Sequence, residues 1–277
     1  MRVLVTGAAG MLGHDMVAHL EGRHEVTAVD MDVDVTDLAA VRACVDDTRP
    51  EAVFHLAAWT DVDGAEDHEQ QAAAVNATGA FNVAAAAATV GAAVVLPSTD
   101  YVFDGRKGSA YVEDDATGPL GAYGRTKLEG ELRARAAHPA GVRIARTAWL
   151  YGASGRNFVD TMRGLASDRD EVTVVADQEG CPTWTCDLAP ALEALLDLPA
   201  GIYHTAGGGS ATWAEFAGAV FEESGLNCRM VPITTAEFGR PAPRPAFSPL
   251  AVTKAGAPRL RHWREALRDY LAAVDGA

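Results

Sequence analysis

A chain of 277 residues with 48% hydrophobic and 22% charged residues can bury a large core, which excludes a disordered or collagen-like polymer. Its formal net charge of −15 sets the molecule's own field against a phosphate backbone, so no nucleic-acid partner is expected. The longest apolar stretch, roughly Val83 to Leu96, is broken by Thr89 and Gly91 and falls short of the about 20 residues that span a bilayer, so no membrane partner is expected either.

In chain order, Arg2 to Thr6 is a short β-branched run that ends in Gly7-Ala-Ala-Gly10-Met-Leu-Gly13, and apolar residues then recur at helical spacing to Leu20. This predicts strand, glycine turn and helix. Glu25 to Val29 predicts a second strand ending at Asp30, Leu38 to Val45 a helix, and Ala52 to Leu56 a third strand. The Ala-rich stretch Ala72 to Thr89 is a good helix former and feeds a strand at Ala92 to Leu96. A helix from Tyr123 to Ala137 and a strand from Val142 to Thr147 come next. Beyond them the patterning predicts a helix over Asn157 to Leu165, a strand at Val172 to Val175 and a helix near Asp187 to Leu196. A strand at Ile202 to His204, a helix from Trp213 to Glu223 and a proline-rich segment from Pro241 to Pro249 complete the chain. Short apolar strands alternating with helices point to an α/β fold with a Rossmann-type doubly wound parallel sheet. Residues 1–150 are read as a dinucleotide-binding domain. Residues 151–277 are read as a smaller mixed α/β substrate-binding region, with some elements interleaved with the first.

Cys44, Cys181, Cys186 and Cys228 are too few and too irregularly spaced for a disulfide framework, and reduced thiols are expected. The first strand begins at Arg2, so no targeting segment and a cytoplasmic location are expected. The eight histidines contain no HExxH or similar ligand spacing, and no metal site is expected.

Gly7-x-x-Gly10-x-x-Gly13 lies where backbone N–H groups and a helix N-terminus can meet a pyrophosphate, and a side chain at these positions would block that approach. Asp30, 20 residues after Gly10, suits a ribose diol, and no Arg or Lys between Asp30 and Val41 could neutralise a 2′-phosphate. The cofactor is therefore NADPH or NADH, leaning toward NADH or use of both. Tyr123-x-x-x-Lys127 places both side chains on one helix face. There the ammonium can depress the tyrosine pKa, and tyrosine can protonate a carbonyl oxygen as hydride arrives at carbon. With six tyrosines and three lysines in the chain, that spacing arises by chance about 0.06 times. Thr99, in Ser98-Thr-Asp-Tyr101 just past the strand Ala92 to Leu96, sits where open α/β sheets place their ligands and could hydrogen-bond a substrate carbonyl.

The glycine turn followed by Tyr-x-x-x-Lys resembles the extended short-chain dehydrogenases/reductases. Five further segments resemble the dTDP-4-dehydrorhamnose reductases among them: Ala57-Ala-Trp-Thr-Asp-Val-Asp63, Ser98-Thr-Asp-Tyr-Val-Phe-Asp-Gly105, Tyr123-Gly-x-x-Lys-x-x-Gly-Glu131, Arg146-Thr-Ala-Trp149 and Asp177-Gln-x-Gly-x-Pro-Thr183. Arg244-Pro-x-Phe-Ser248 and Leu250 resemble the family's tail motif. Pro97 and Gly121 depart from its usual tyrosine and asparagine. The resemblance implies NAD(P)H-dependent reduction of the 4-keto group of a dTDP-4-keto-6-deoxyhexose. It further implies that Gly7, Gly10, Met11, Leu12, Gly13, Asp30, Asp34, Val35, Ala58, Trp59 and Thr60 line the cofactor, and that Thr99, Asp100 and Trp149 meet the sugar. Tyr123 would be the proton donor, with Lys127 lowering its pKa and binding the nicotinamide ribose, and a homodimer is left open. Two other functions share the motifs. A 4,6-dehydratase or epimerase would want a glutamate where Tyr101 stands. A non-catalytic regulatory subunit of the same fold would not need the intact Thr99, Tyr123 and Lys127.

Overall fold

The computed structural model describes residues 1–276. Its first half is a regular alternation: β1 (Arg2–Thr6), α1 (Met11–Leu20), β2 (Glu25–Val29), α2 (Leu38–Thr48), β3 (Ala52–His55), α3 (Gly64–Asp67), α4 (Glu69–Val90), β4 (Ala93–Thr99), α5 (Ala122–Ala137) and β5 (Val142–Thr147). The second half is less regular: β6 (Leu150–Tyr151), α6 (Phe158–Asp168), β7 (Glu171–Val175), β8 (Glu179–Gly180), β9 (Thr183–Trp184), α7 (Thr185–Ala194) and β10 (Gly201–His204). It ends with β11 (Ala211–Thr212), α8 (Trp213–Glu223), β12 (Arg229–Ile233), α9 (Thr235–Phe238) and α10 (Trp263–Asp275).

The central sheet has six strands in the order β2-β1-β3-β4-β5-β10, every pair parallel. Buried on both faces, its strands are continuous runs of β-branched and apolar residues such as Val3, Val5, Val53, Val94 and Ile144. The chain winds outward from β1 to β2 and then crosses back to β3 on the other side of β1. That reversal opens a crevice at the carboxyl ends of β1 and β3, where ligands of open α/β sheets bind. The two loops there meet closely: a Cβ on Gly7, whose φ is +68°, would lie 2.5 Å from the backbone nitrogen of Ala57.

Helix α4 begins at Glu69, earlier than the Ala-rich stretch suggests, and its Ala74–Gly79 turn is π-helical. At 22 residues and mean hydropathy 1.3 it is long and apolar enough to cross a bilayer by length and composition, which corrects the inference drawn from Val83 to Leu96. Here Val83, Ala84 and Ala87 share one core with Val41 and Val45 of α2 and with the sheet.

Two elements beyond residue 150 return to the first layer. Strand β10 extends the sheet beside β5, and Leu188 and Leu192 of α7 pack with Leu12, Met16 and Leu20 of α1. A second core forms where Val159 and Met162 of α6, Phe216 and Val220 of α8, and Leu267 and Tyr270 of α10 meet the β7–β12 pair. Strand β12 and helix α10 are absent from the sequence-based expectation. The signal for α10 is nonetheless readable: Trp263, Ala266, Leu267, Tyr270 and Leu271 are buried at helical spacing, and the ring of His262 accepts the Arg264 N–H. All four cysteines are free thiols.

Candidate active site

A cleft of about 1100 Å³ opens at the carboxyl ends of β1, β3, β4 and β5. It is lined by Gly7, Gly10, Met11, Leu12, Gly13, Asp30, Asp34, Val35, Ala58, Trp59 and Thr60 on one side and by Thr99, Asp100, Tyr123, Lys127 and Trp149 on the other. The structure thus gathers every predicted site residue around one space.

The glycine turn has two jobs. A Cβ on Gly13 would sit 2.1 Å from the Gly7 carbonyl oxygen, so helix α1 can start this close to β1 only with glycine there. Gly10 is different, because a Cβ there meets only the Gly7 carbonyl, at 3.2 Å. The space above Gly10 is cleft. Asp30 at the end of β2 accepts the Ala9 N–H at 2.9 Å, which ties its carboxylate to the turn. The hydroxyl and N–H of Thr36 hold the Asp34 carboxyl below its ordinary pKa.

Sequence reasoning misses Asn76. The π-helical turn of α4 brings its buried amide between the two halves of the cleft. Its Oδ1 accepts the Trp59 N–H at 2.9 Å, while Nδ2 donates to the Trp59 carbonyl at 3.2 Å and to Thr126 Oγ1 at 3.1 Å. Thr126 in turn donates to the Tyr123 carbonyl at 3.0 Å. Gly130 makes room for this link, since a Cβ there would lie 2.2 Å from the Asn76 carbonyl oxygen.

Tyr123 lies in the first turn of α5, whose Ala122 N–H is satisfied by Glu66 Oε1 at 2.7 Å. Tyr123 is partly buried, and its pKa is pushed up to about 12 by desolvation and by the Asp100 charge, with the Thr99 hydroxyl pulling the other way. The expected depression by Lys127 is therefore not what the structure shows. The Lys127 ammonium donates instead to the Pro97 carbonyl at 2.8 Å, and burial lowers its own pKa to about 8 against the opposing pull of Glu131. A phenol held this high is fully protonated at neutral pH and can serve as a donor. His55 beside it is buried, with Nδ1 2.7 Å from Thr6 Oγ1. Desolvation first, and then Lys127, push its pKa down to about 3, so it is neutral.

Strand β4 runs through Thr99, three residues beyond the predicted end, so Ser98 and Thr99 belong to the sheet and the chain turns out of it at Asp100. Thr99 Oγ1 accepts the Tyr101 N–H at 3.1 Å. Trp149 adopts φ +48°, a region costly for a non-glycine residue. Its ring stacks on Trp213 at 3.5 Å between centroids, and a Cβ on Gly180 would lie 2.5 Å from it. The tail segment closes the remaining side. Arg244, which lines the cleft, donates to Asp63 Oδ1 at 3.0 Å, and Ser248 Oγ donates to Asp100 Oδ2 at 2.5 Å. Among the described residues no group of three His, Cys, Asp or Glu side chains is arranged to hold a metal ion.

Comparisons with known proteins give relatives over the whole chain. A dTDP-4-dehydrorhamnose reductase of Streptomyces griseus is 46% identical over 99% of this chain and 94% of its own length. A dTDP-4-keto-6-deoxy-D-glucose reductase of Streptomyces niveus is 43% identical over 96% and 95%. Among solved structures, a dTDP-4-dehydrorhamnose reductase of Clostridium acetobutylicum superposes with TM-score 0.95 at 41% identity, covering 99% of this chain and 100% of that one. That of Bacillus anthracis in complex with NADP does so with TM-score 0.95 at 37% identity, covering 98% and 99%. The family described as the RmlD substrate binding domain matches residues 1–275, and the chain belongs to that family, the family of the dTDP-4-dehydrorhamnose reductases.

Proposed function

We propose that the protein is an NAD(P)H-dependent oxidoreductase that reduces the 4-keto group of a dTDP-4-keto-6-deoxyhexose, converting dTDP-4-dehydro-L-rhamnose to dTDP-L-rhamnose. The observation that carries the reading is the convergence of a glycine turn, the Tyr123/Lys127 pair and Thr99 on one cleft. The residues present fit a dinucleotide: Gly10 leaves open the space a side chain would fill, and Asp30 and Asp34 stand at the end where a ribose would lie. When bound, the reduced nicotinamide supplies the hydride.

This chain's own residues do the rest. Tyr123, protonated and desolvated, gives its phenolic proton to the substrate oxygen as negative charge develops there. The buried Lys127 ammonium offers donors to the nicotinamide ribose and a positive field toward the phenolate left behind. Thr99 holds the reacting oxygens in place, and Trp149, fixed by Trp213, forms the wall against which the sugar rests. Gly7, Gly13, Met11, Leu12, Val35, Ala58, Trp59 and Thr60 shape the cofactor side, and Asp100 serves the sugar side. Tyr101 stands where a dehydratase would carry an acid/base glutamate; burial raises its phenol pKa and its ring meets Tyr123 edge-on, so it offers no such function. The partner in this reading is a small nucleotide sugar in the cytoplasm, with neither nucleic acid nor membrane involved.

The test is a spectrophotometric assay of NADPH and NADH oxidation with enzymatically made dTDP-4-keto-6-deoxy sugars. Sugar-dependent oxidation is expected with both cofactors. No oxidation with either, by folded protein, overturns the reading.

A further inference from the structure

Three cationic side chains line the cleft, Lys127, Arg156 and Arg244, together with the carboxyl groups of Asp30, Asp34 and Asp100. Lys127 and Arg244 are already committed. Lys127 is buried and donates to the Pro97 carbonyl at 2.8 Å. Arg244 is offset by Asp63, to which Nη2 donates at 3.0 Å, and its Nη1 donates to the Ala242 carbonyl at 2.8 Å. Arg156 is exposed, and among the described residues its side chain takes part in no hydrogen bond or ion pair. Its backbone is nonetheless fixed. The preceding Gly155 takes a φ of +79°, and the following Asn157 is buried. Asn157 Nδ2 donates to the Gly152 carbonyl at 2.8 Å and to the Tyr270 hydroxyl at 3.1 Å, and Oδ1 accepts the Asp160 N–H at 2.9 Å. A long side chain rich in donors thus stands on a held segment seven residues beyond Trp149, in the wall of the same cleft.

We propose that Arg156 binds the diphosphate of the nucleotide sugar and so selects a nucleoside-diphosphate sugar over a sugar without that charge. A guanidinium matches phosphate oxygens through paired N–H donors, which makes it well suited to this group. The proposal rests on the reductase reading, in which the cleft takes the diphosphate of the cofactor as well as that of the sugar nucleotide. The cofactor's has partners of its own, the backbone N–H groups of the Gly7 to Gly13 turn and the N-terminus of α1. The sugar's meets a chain of net charge −15 and a cleft that carries Asp30, Asp34 and Asp100, so its entry is opposed unless a cation receives it. Arg156 is the lining cation left for that purpose. The diphosphate is attached across the sugar ring from the 4-keto group, so this contact is equally strong before and during hydride transfer. It acts on binding and leaves the chemical step alone.

The test is calorimetric titration of wild type, Arg156→Ala and Arg156→Lys with dTDP, dTMP and NADPH, beside steady-state kinetics with the dTDP-4-keto-6-deoxy sugar. Arg156 is exposed and unpaired, so neither substitution threatens the fold. Arg156→Ala should weaken dTDP binding at least about tenfold and narrow the gap between dTDP and dTMP, with NADPH affinity within about twofold of wild type. Arg156→Lys should keep part of the dTDP affinity. The KM for the sugar should rise at least about tenfold in Arg156→Ala while kcat stays within about twofold. Added salt should weaken dTDP binding less steeply in Arg156→Ala than in wild type, a change that a purely structural role would not produce. Unaltered dTDP affinity in Arg156→Ala overturns the proposal, as does wild-type protein that binds no dTDP. An equal loss of NADPH affinity would put Arg156 on the cofactor's diphosphate and overturns it too. Wild-type protein that oxidises no cofactor, yet loses dTDP affinity on Arg156→Ala, would defeat the reductase reading and leave the diphosphate site standing.

Discussion

Replacing Glu131 with glutamine should cost this protein a large part of its stability. Glu131 on α5 and Arg146 on β5 form a bidentate pair, with Nε to Oε1 at 3.0 Å and Nη2 to Oε2 at 2.7 Å, and their side chains are only 2% and 3% exposed. The guanidinium also lies 5.1 Å from the centre of the Phe103 ring. Glutamine keeps the volume but leaves a buried cation uncompensated, a loss of about 3–5 kcal/mol. A native state worth about 5–15 kcal/mol in total cannot absorb that lightly. With a urea slope of about 2–3 kcal/mol/M, the unfolding midpoint should fall by about 1–2.5 M. The double variant Glu131→Leu with Arg146→Met should recover most of the loss, since exchanging a whole buried pair for apolar residues is often neutral. The substitution should also reach the chemistry, because Glu131 is the charge that opposes the desolvation of Lys127 and its loss drives the Lys127 pKa further below about 8. A single-variant loss under about 1 kcal/mol, the scale of an exposed ion pair, would refute the reasoning.

Tyr123→Phe should lower kcat by about 10²–10⁴ with cofactor affinity retained, and Lys127→Met should impair both, measured by steady-state kinetics and cofactor titration. Gly10→Val should fold and yet lose cofactor binding, because its side chain enters the cleft. Gly7→Val should lower the melting temperature even without cofactor, because of its φ of +68° and the 2.5 Å approach of a Cβ to Ala57. Equal behaviour of these two variants in thermal unfolding would sink the distinction. For pH, burial lowers the pKa of His55 to about 3 and that of His204 to about 4, both from 6.5. Between those values the unfolded chain binds protons the native one refuses, so stability is lost as pH falls below about 6.5. Asp100, raised from 3.8 to about 6, works in the opposite direction between those values. Two groups against one predict a lower urea midpoint at pH 5 than at pH 7, and a higher one would refute the assignment.

The first half of the fold is legible because each of its elements carries its own signal. Parallel strands buried on both faces read as unbroken β-branched runs, and the glycine turn after β1 is shaped to open directly into a helix. Later elements depend on partners. Strand β12 contains Pro232 and, among the described residues, pairs with β7 alone, so its extended form is set by that neighbour and not by propensity. Helix α4 starts three residues before the Ala-rich run because Glu69, Gln70 and Gln71 are also good helix formers, and its π-helical turn at Asn76 answers to Trp59 and Thr126 far along the chain.

The site divides in the same way. Residue types and spacings identify Gly10, Asp30, Tyr123 and Lys127, since the required chemistry restricts what can stand at each position. What spacing cannot convey is where each polar atom is spent. On one helix face, Lys127 could reach the phenol, yet the Pro97 carbonyl takes its ammonium, while desolvation and the Asp100 charge raise the phenol pKa where spacing predicts a fall. The tail motif likewise has no visible purpose until the chain is folded. Asp63, placed by the loop after β3, then collects Arg240, Arg244 and the Ala242 N–H, and Asp100 collects Ser248. These are bonds across 148 to 181 residues. The tail's Arg244 and Ser248 are therefore tied to carboxylates placed by the loop after β3 and by the end of β4, a link found by following hydrogen bonds through the fold.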